Sequence, residues 1–320
     1  MTYLLFLSLS NLIALLMSIR NQRCRPLLNT NIILFISIII ICLQTTQTLA
    51  KNIQDINWDS LQFSCKSEQN PPFDVESDVW FQRARALEKA DDENNDAEMI
   101  RLYQQASERG HYKAMLNLAI LYAHGRSIKT NRRKAVDLVE KAMKMQSAHA
   151  YYLMGIMLEQ GVGVKPDKIA ALSYFRKSAD MGNKYGQYAT GEAIRDAVVK
   201  EEESIRQRGY AIAVQMLECS LSQGYVEAAY LLGRHYRTFD KNPERELFYF
   251  QKAAALGHLE SLYSLITIFK NGKHPIEKNL EIMDCYNRIW DLLDAEPKKT
   301  FPNLDQLCPL PTQFGKMTRS

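Results

Sequence analysis

Acidic residues are absent from the first 50 positions, whose only charges are Arg20, Arg23 and Arg25. Beyond residue 50 the chain holds 37 basic and 36 acidic residues, so the formal net charge of +4 is mostly a property of the leader. No extended Lys/Arg face remains in the body, which excludes nucleic acid as the expected partner. Proline is scarce, at 10 in 320 residues, and no glycine period is present, which excludes a collagen-like chain. An apolar content of 46% excludes a disordered one. His124, His149, His235 and His274 have no Cys, His or Asp cluster at metal-ligand spacing. No nucleophile elbow or paired-acid motif occurs. Gly161-Val162-Gly163 is a lone GxG with no strand before it, and it reads as a loop between helices. The expectation is a protein without catalytic residues, cofactor or metal.

What is present begins with hydrophobic runs. Tyr3–Ile19 is uncharged and largely apolar, Arg20 to Arg25 is basic, and Ile32–Leu43 is almost entirely aliphatic. Twelve residues are short for a membrane span and suit a signal-peptide core. Thr48 and Ala50 stand at the −3 and −1 positions for cleavage after Ala50. A start at Met17 would order the basic, apolar and small-residue regions correctly. Residues 1–50 are therefore expected to be a signal peptide. The alternative is a two-span membrane anchor, which would be the only membrane contact. Either leaves Lys51 onward exported, on the periplasmic side.

The body repeats. With His111, Ser147, Asn183, Tyr225 and His258 set in one column, the spacings are 36, 36, 42 and 33 residues. Three residues on stand Ala114, Ala150, Gly186, Ala228 and Ser261, all small. Five on stand Leu116, Tyr152, Tyr188, Tyr230 and Tyr263. Eight on stand Ala119, Gly155, Gly191, Gly233 and Ile266, and eleven on Tyr122, Leu158, Ile194, Tyr236 and Phe269. These offsets describe one apolar helix face with small residues where another helix comes close. A second helix ends before each column, with Met99, Leu102, Tyr103 and Ser107 in its first copy. Its last copy, Glu246, Tyr249, Phe250 and Ala254, departs at the first position. Gly110, Gly182, Gly224 and Gly257 sit where such a helix must stop and the backbone must turn left-handed. His111 and His258 share the column, which points to a helix-start role. The unit is helix A, loop, helix B, glycine turn. Such hairpins cannot bury their faces alone and must stack, so the expected fold is an all-α solenoid of about five repeats.

The run from Glu159 through Gly161-Val162-Gly163-Val164-Lys165-Pro166-Asp167 to Leu172 resembles the signature of Sel-one-like repeats, relatives of the tetratricopeptide repeat. So does Tyr174-Phe175-Arg176-Lys177-Ser178-Ala179-Asp180-Met181-Gly182-Asn183. The resemblance covers about 95–293. It implies a superhelix that binds other proteins. Narrower similarity lies at the ends, in Leu61-Gln62-Phe63-Ser64-Cys65, Trp80–Lys89, Ile289-Trp290 and Leu304-Asp305-Gln306-Leu307-Cys308-Pro309-Leu310-Pro311. These resemble secreted bacterial Sel-one-like proteins with a Pro-Leu-Pro tail. Some proteins of that type act as immunity proteins of type VI secretion phospholipase effectors. The chain departs from the tail pattern after Pro311. The resemblance implies a protein partner, a lipase-type effector, and a non-enzymatic role in neutralising it. The alternative is an envelope scaffold or regulatory adaptor with several partners. The expected division is a leader at 1–50, an extension with a helix at 51–94, the repeats at 95–293 and a tail at 294–320.

With the leader removed, Cys65, Cys219, Cys285 and Cys308 remain. An even number in an oxidising compartment favours bridges, and of the three pairings the short closure favours Cys285–Cys308, leaving Cys65–Cys219. The competing reading keeps Cys219 and Cys285 as small, free, buried helix residues. The cysteine-rich subtype of the family has a disulfide pair in each repeat, and that spacing is absent here. Tyr112, Tyr151, Tyr185 and Tyr225 lie beside the core columns. They are expected either to line a partner-binding face of the A helices or to pack between repeats. The insertion at 195–209, with Glu201 and Arg206, breaks the period and is expected to clamp the partner.

Overall fold

The computed structural model describes residues 61–314. The expected leader and cleavage site lie outside them. The described residues form thirteen α-helices. The first twelve are α1 (Val75–Ala90), α2 (Asp96–Glu108), α3 (Tyr112–His124), α4 (Arg132–Lys144), α5 (Ala148–Gln160), α6 (Lys168–Asp180), α7 (Lys184–Ala197), α8 (Glu203–Ser222), α9 (Val226–Thr238), α10 (Pro243–Ala255), α11 (Leu259–Asn271) and α12 (Leu280–Ala295). A short α13 follows at Leu304–Leu307. From α1 to α12 each helix packs on the next along the chain, as an α-solenoid requires, and α13 packs back on α10. The five expected hairpins run from α3 to α12, and among the described residues one more precedes them. The segment expected as an added N-terminal helix is α1, and it pairs with α2 to make that one.

The repeat column is the row of A-helix N-caps, where α3, α5, α7, α9 and α11 begin. His111 Nδ1, Ser147 Oγ, Asn183 Oδ1 and His258 Nδ1 each accept a hydrogen bond from a backbone N–H in the first turn. The imidazole Nε2–H groups then face Asp78 at 3.2 Å and Glu227 at 3.1 Å. Tyr225 alone in the column provides no side-chain cap. The four recurrent glycines all have positive φ, and Gln146 holds the equivalent turn before Ser147 at φ 62°.

The small residues three past each cap are all buried. Eight past the cap, Gly155 and Gly233 lie directly against Phe175 and Phe250 of the following B helix. A Cβ would stand 2.4 Å from Phe175 Cε1 and 2.6 Å from Phe250 Cδ1. Large rings therefore enter slots that only glycine leaves open. The break at Glu246 also has a reason. Its side chain is 2% exposed and its carboxylate is held by Arg237 Nε at 2.6 Å and Lys273 Nζ at 3.1 Å.

Extended segments run along the stack near both ends. Lys66 O accepts from Gln187 Nε2 at 3.1 Å, and Arg176 donates to Gln62 O at 2.6 Å. Glu68 accepts from His149 N and from Asn183 Nδ2, at 3.1 and 2.7 Å. At Gly182, φ 92°, a Cβ would meet the Ser67 carbonyl carbon at 2.5 Å. The tail covers the last hairpins: Phe301, Leu304, Cys308, Leu310 and Phe314 are buried there. Disulfides join Cys65 to Cys219 and Cys285 to Cys308, with Cα separations of 5.5 and 5.7 Å.

Candidate protein-binding face

Successive A helices place aromatic rings side by side. Tyr152 of α5 stacks on Tyr185 of α7 with centroids 5.5 Å apart. Tyr185 meets Tyr225, the residue before α9, edge to face at 5.0 Å, and Tyr225 meets Tyr188 at 5.1 Å. His149 closes the row against Tyr152 and Tyr185. All four tyrosines are half-buried, so part of each remains open to solvent. They form a continuous ladder across three repeats.

Of the tyrosines singled out from sequence, the structure brings Tyr185 and Tyr225 into this ladder. Tyr151 is half-buried but turns to Tyr174 within its own hairpin, at 6.3 Å. Tyr112 must be corrected: it is 1% exposed, enclosed beside His111 and Phe73, and presents no ring to a partner. Burial follows from its place in the first turn of α3, where the N-terminal extension covers it. Tyr152 and Tyr188 were missed because offset five from the cap reads as core. Leu116 at that offset is buried, but Tyr152, Tyr188 and Tyr230 are half-buried and Tyr263 is 63% exposed. The signal was the amino-acid type: four of the five residues in the column are tyrosine, whose hydroxyl wants water or a polar partner.

A carboxylate sits among the phenols. Tyr188 OH donates to Glu192 Oε1 at 3.4 Å, and the Glu192 charge also acts on Tyr152 and Tyr225. Burial raises the Glu192 carboxyl above its ordinary range, opposed by the attraction of Arg195 and Arg234. Burial likewise pushes the Tyr225 phenol up to about 12, and raises those of Tyr152 and Tyr188. The ladder therefore offers neutral phenols and a poorly solvated acid.

Glu201 and Arg206 lie elsewhere, at the start of α8. Arg206 donates to the Glu201 carbonyl at 2.9 Å and pairs with Glu203. The insertion is largely built into helix: it gives α8 20 residues where most other repeat helices have 13. Val198, in a short 3-10 turn, is buried against Gly209.

The fold and this face define an α-helical repeat protein of the protein-interaction class. More particularly, residues 100–111, 113–147, 148–183 and 226–258 match the Sel1 repeat, and the chain carries Sel1 repeats. Among solved structures it is similar to immunity protein PA5088 from Pseudomonas aeruginosa, 28% identical, covering 78% of this chain and 94% of that one, TM-score 0.61. Immunity protein Pa5087 from the same organism is also 28% identical, covering 78% and 95%, TM-score 0.58. A Sel1 repeat protein from Oxalobacter formigenes shares the fold at 20% identity, covering 69% of this chain and 88% of that one, TM-score 0.56. In sequence, 86 residues are 27% identical to the uncharacterized protein NMB1327 of Neisseria meningitidis. That match spans 27% of this chain and 18% of the relative's length. The matched segments are thus Sel1 repeats, a protein-interaction module, and the chain is similar in structure to immunity proteins.

Proposed function

We propose that this protein is an immunity protein: an exported, non-enzymatic module that binds and neutralises an antibacterial effector of the phospholipase type. The observation that carries the reading is its similarity to two immunity proteins at 28% identity over nearly their whole lengths. The half-buried aromatic ladder supports it, since tyrosines on a rigid scaffold are efficient anchors for a protein partner. Location in the periplasm is supported by the leader's pattern and by two disulfides, which persist in oxidising compartments. Among the described residues no helix is long and apolar enough to cross a membrane.

The decisive experiment exports a phospholipase-type toxin encoded beside this gene into the periplasm of a sensitive bacterium, with and without this protein. The expected result is lysis by the toxin alone, and survival with recovery of a stable complex when both are present. Continued lysis, with no complex between the purified proteins, would reject the immunity reading and favour the envelope-scaffold alternative. Insertion 195–209 belongs to the same proposal as a secondary contact. Glu201→Ala with Arg206→Ala, which leaves the turn between α7 and α8 in place, is expected to weaken the complex while helicity is kept.

A further inference from the structure

We infer that the tyrosine ladder is a receptor for one arginine side chain of the protein partner, with Glu192 as its counter-ion. This rests on the reading of the chain as a protein-binding module and names what its open face takes. The argument starts from the unmet need of Glu192. Its carboxylate is half-buried, its one side-chain hydrogen bond is the 3.4 Å contact from Tyr188, and among the described residues it forms no ion pair. The cations nearby attract it without reaching ion-pair distance. Arg195 is buried and holds Asp196 through Nε and Nη2, at 2.9 and 2.7 Å. Arg234 lies over the Tyr230 ring, 5.8 Å from its centroid. A poorly solvated carboxylate without a close cation is costly to leave unpaired.

The rings supply the rest. Tyr185 already carries Lys184 Nζ 5.4 Å from its centroid, so this row takes cations within the chain itself. Glu227, 3.1 Å from His258 Nε2, adds negative charge at the Tyr225 end. A planar, weakly hydrated guanidinium can stack on a phenol ring while donating paired hydrogen bonds to a carboxylate. An ammonium can sit over a ring, as Lys184 does, but cannot lie flat on it while donating paired hydrogen bonds to the carboxylate.

The test uses the mature chain with ¹³C-labelled tyrosine rings, titrated at pH 7.5 with N-acetyl-arginine methylamide and, separately, its neutral citrulline analogue. The expected outcome is saturable shifts of the Tyr185, Tyr188 and Tyr225 signals with the arginine probe. Buried Tyr286 should stay unmoved. The citrulline probe should bind at least about tenfold more weakly. Glu192→Gln should bring the arginine affinity down to the citrulline level, and Tyr188→Phe should weaken it without abolishing it. Equal binding of the two probes, absence of ladder shifts, or unchanged affinity in both variants would overturn the inference. Because no effector is used, a protein that fails to protect against the toxin can still pass, and one that protects can still fail.

Discussion

At the residue scale, the cap column shows where stability and binding pull apart. Four of its five members accept a hydrogen bond from the first turn, and Tyr225 does not. Its ring goes to the ladder instead. Tyr225→Asn should therefore gain a cap worth about 1 kcal/mol and lose two ring contacts of similar worth, so urea unfolding should show little net change while partner binding weakens. Glu192 obeys the same logic. Burial raises its folded pKa, so the unfolded chain holds fewer protons above the ordinary glutamate range and ionisation disfavours the fold. Glu192→Gln is expected to raise Tm at pH 7.5, with the gain vanishing as pH falls towards 4. Histidines work the other way. Burial depresses His111, His149 and His235 below 6.5, so the unfolded chain takes up protons first as pH falls. A Tm profile should be flat above about pH 7 and fall below about 6.5. The cap column was visible in the sequence as a recurrence, and the two histidines in it as helix-start residues. That Tyr225 abandons the cap was not legible, because the spacing places a residue without saying where its ring turns.

At the element scale, the repeat is written most clearly where helices touch. Small residues three and eight past the cap mark crossings, and the Phe175 ring fills the slot left by Gly155. Gly155→Leu cannot keep that ring in place. Unfolding in urea should show a loss of about 2–4 kcal/mol, while an added methyl at an exposed site such as Ala211 should cost little. The offset-five column misled for a related reason. Periodicity reports which residues share a face, not how deep that face lies. A tyrosine at the edge of the buried stripe satisfies the same period as a leucine in its middle. The insertion at 195–209 was legible as a break in spacing. Its form was not, because six extra residues can lengthen a helix as readily as open a loop, and here most lengthen α8.

At the scale of the whole molecule, local stacking leaves a solenoid open to fraying from its ends, and this chain ties segments together that are distant in sequence. Glu68 reaches the starts of α5 and α7, and Lys66 O is held by Gln187 of α7. The Cys65–Cys219 bridge fixes this strap to α8 across 154 residues, whereas Cys285–Cys308 spans 23. On the chain-entropy account the longer closure constrains the unfolded state more, by about 1–2 kcal/mol. Cys65→Ser with Cys219→Ser should thus lower stability by about 2–5 kcal/mol and more than the Cys285, Cys308 double variant, in urea unfolding under non-reducing conditions. The consequence extends to function. His149 and Asn183, which the strap holds, sit beside the Tyr152 and Tyr185 rings of the ladder. Freeing the strap should raise amide exchange first in the opening turns of α5 and α7, and arginine-probe affinity should fall with it. Equal exchange in the two double variants would show that the strap is held by its hydrogen bonds alone and that the bridge contributes nothing to the binding face.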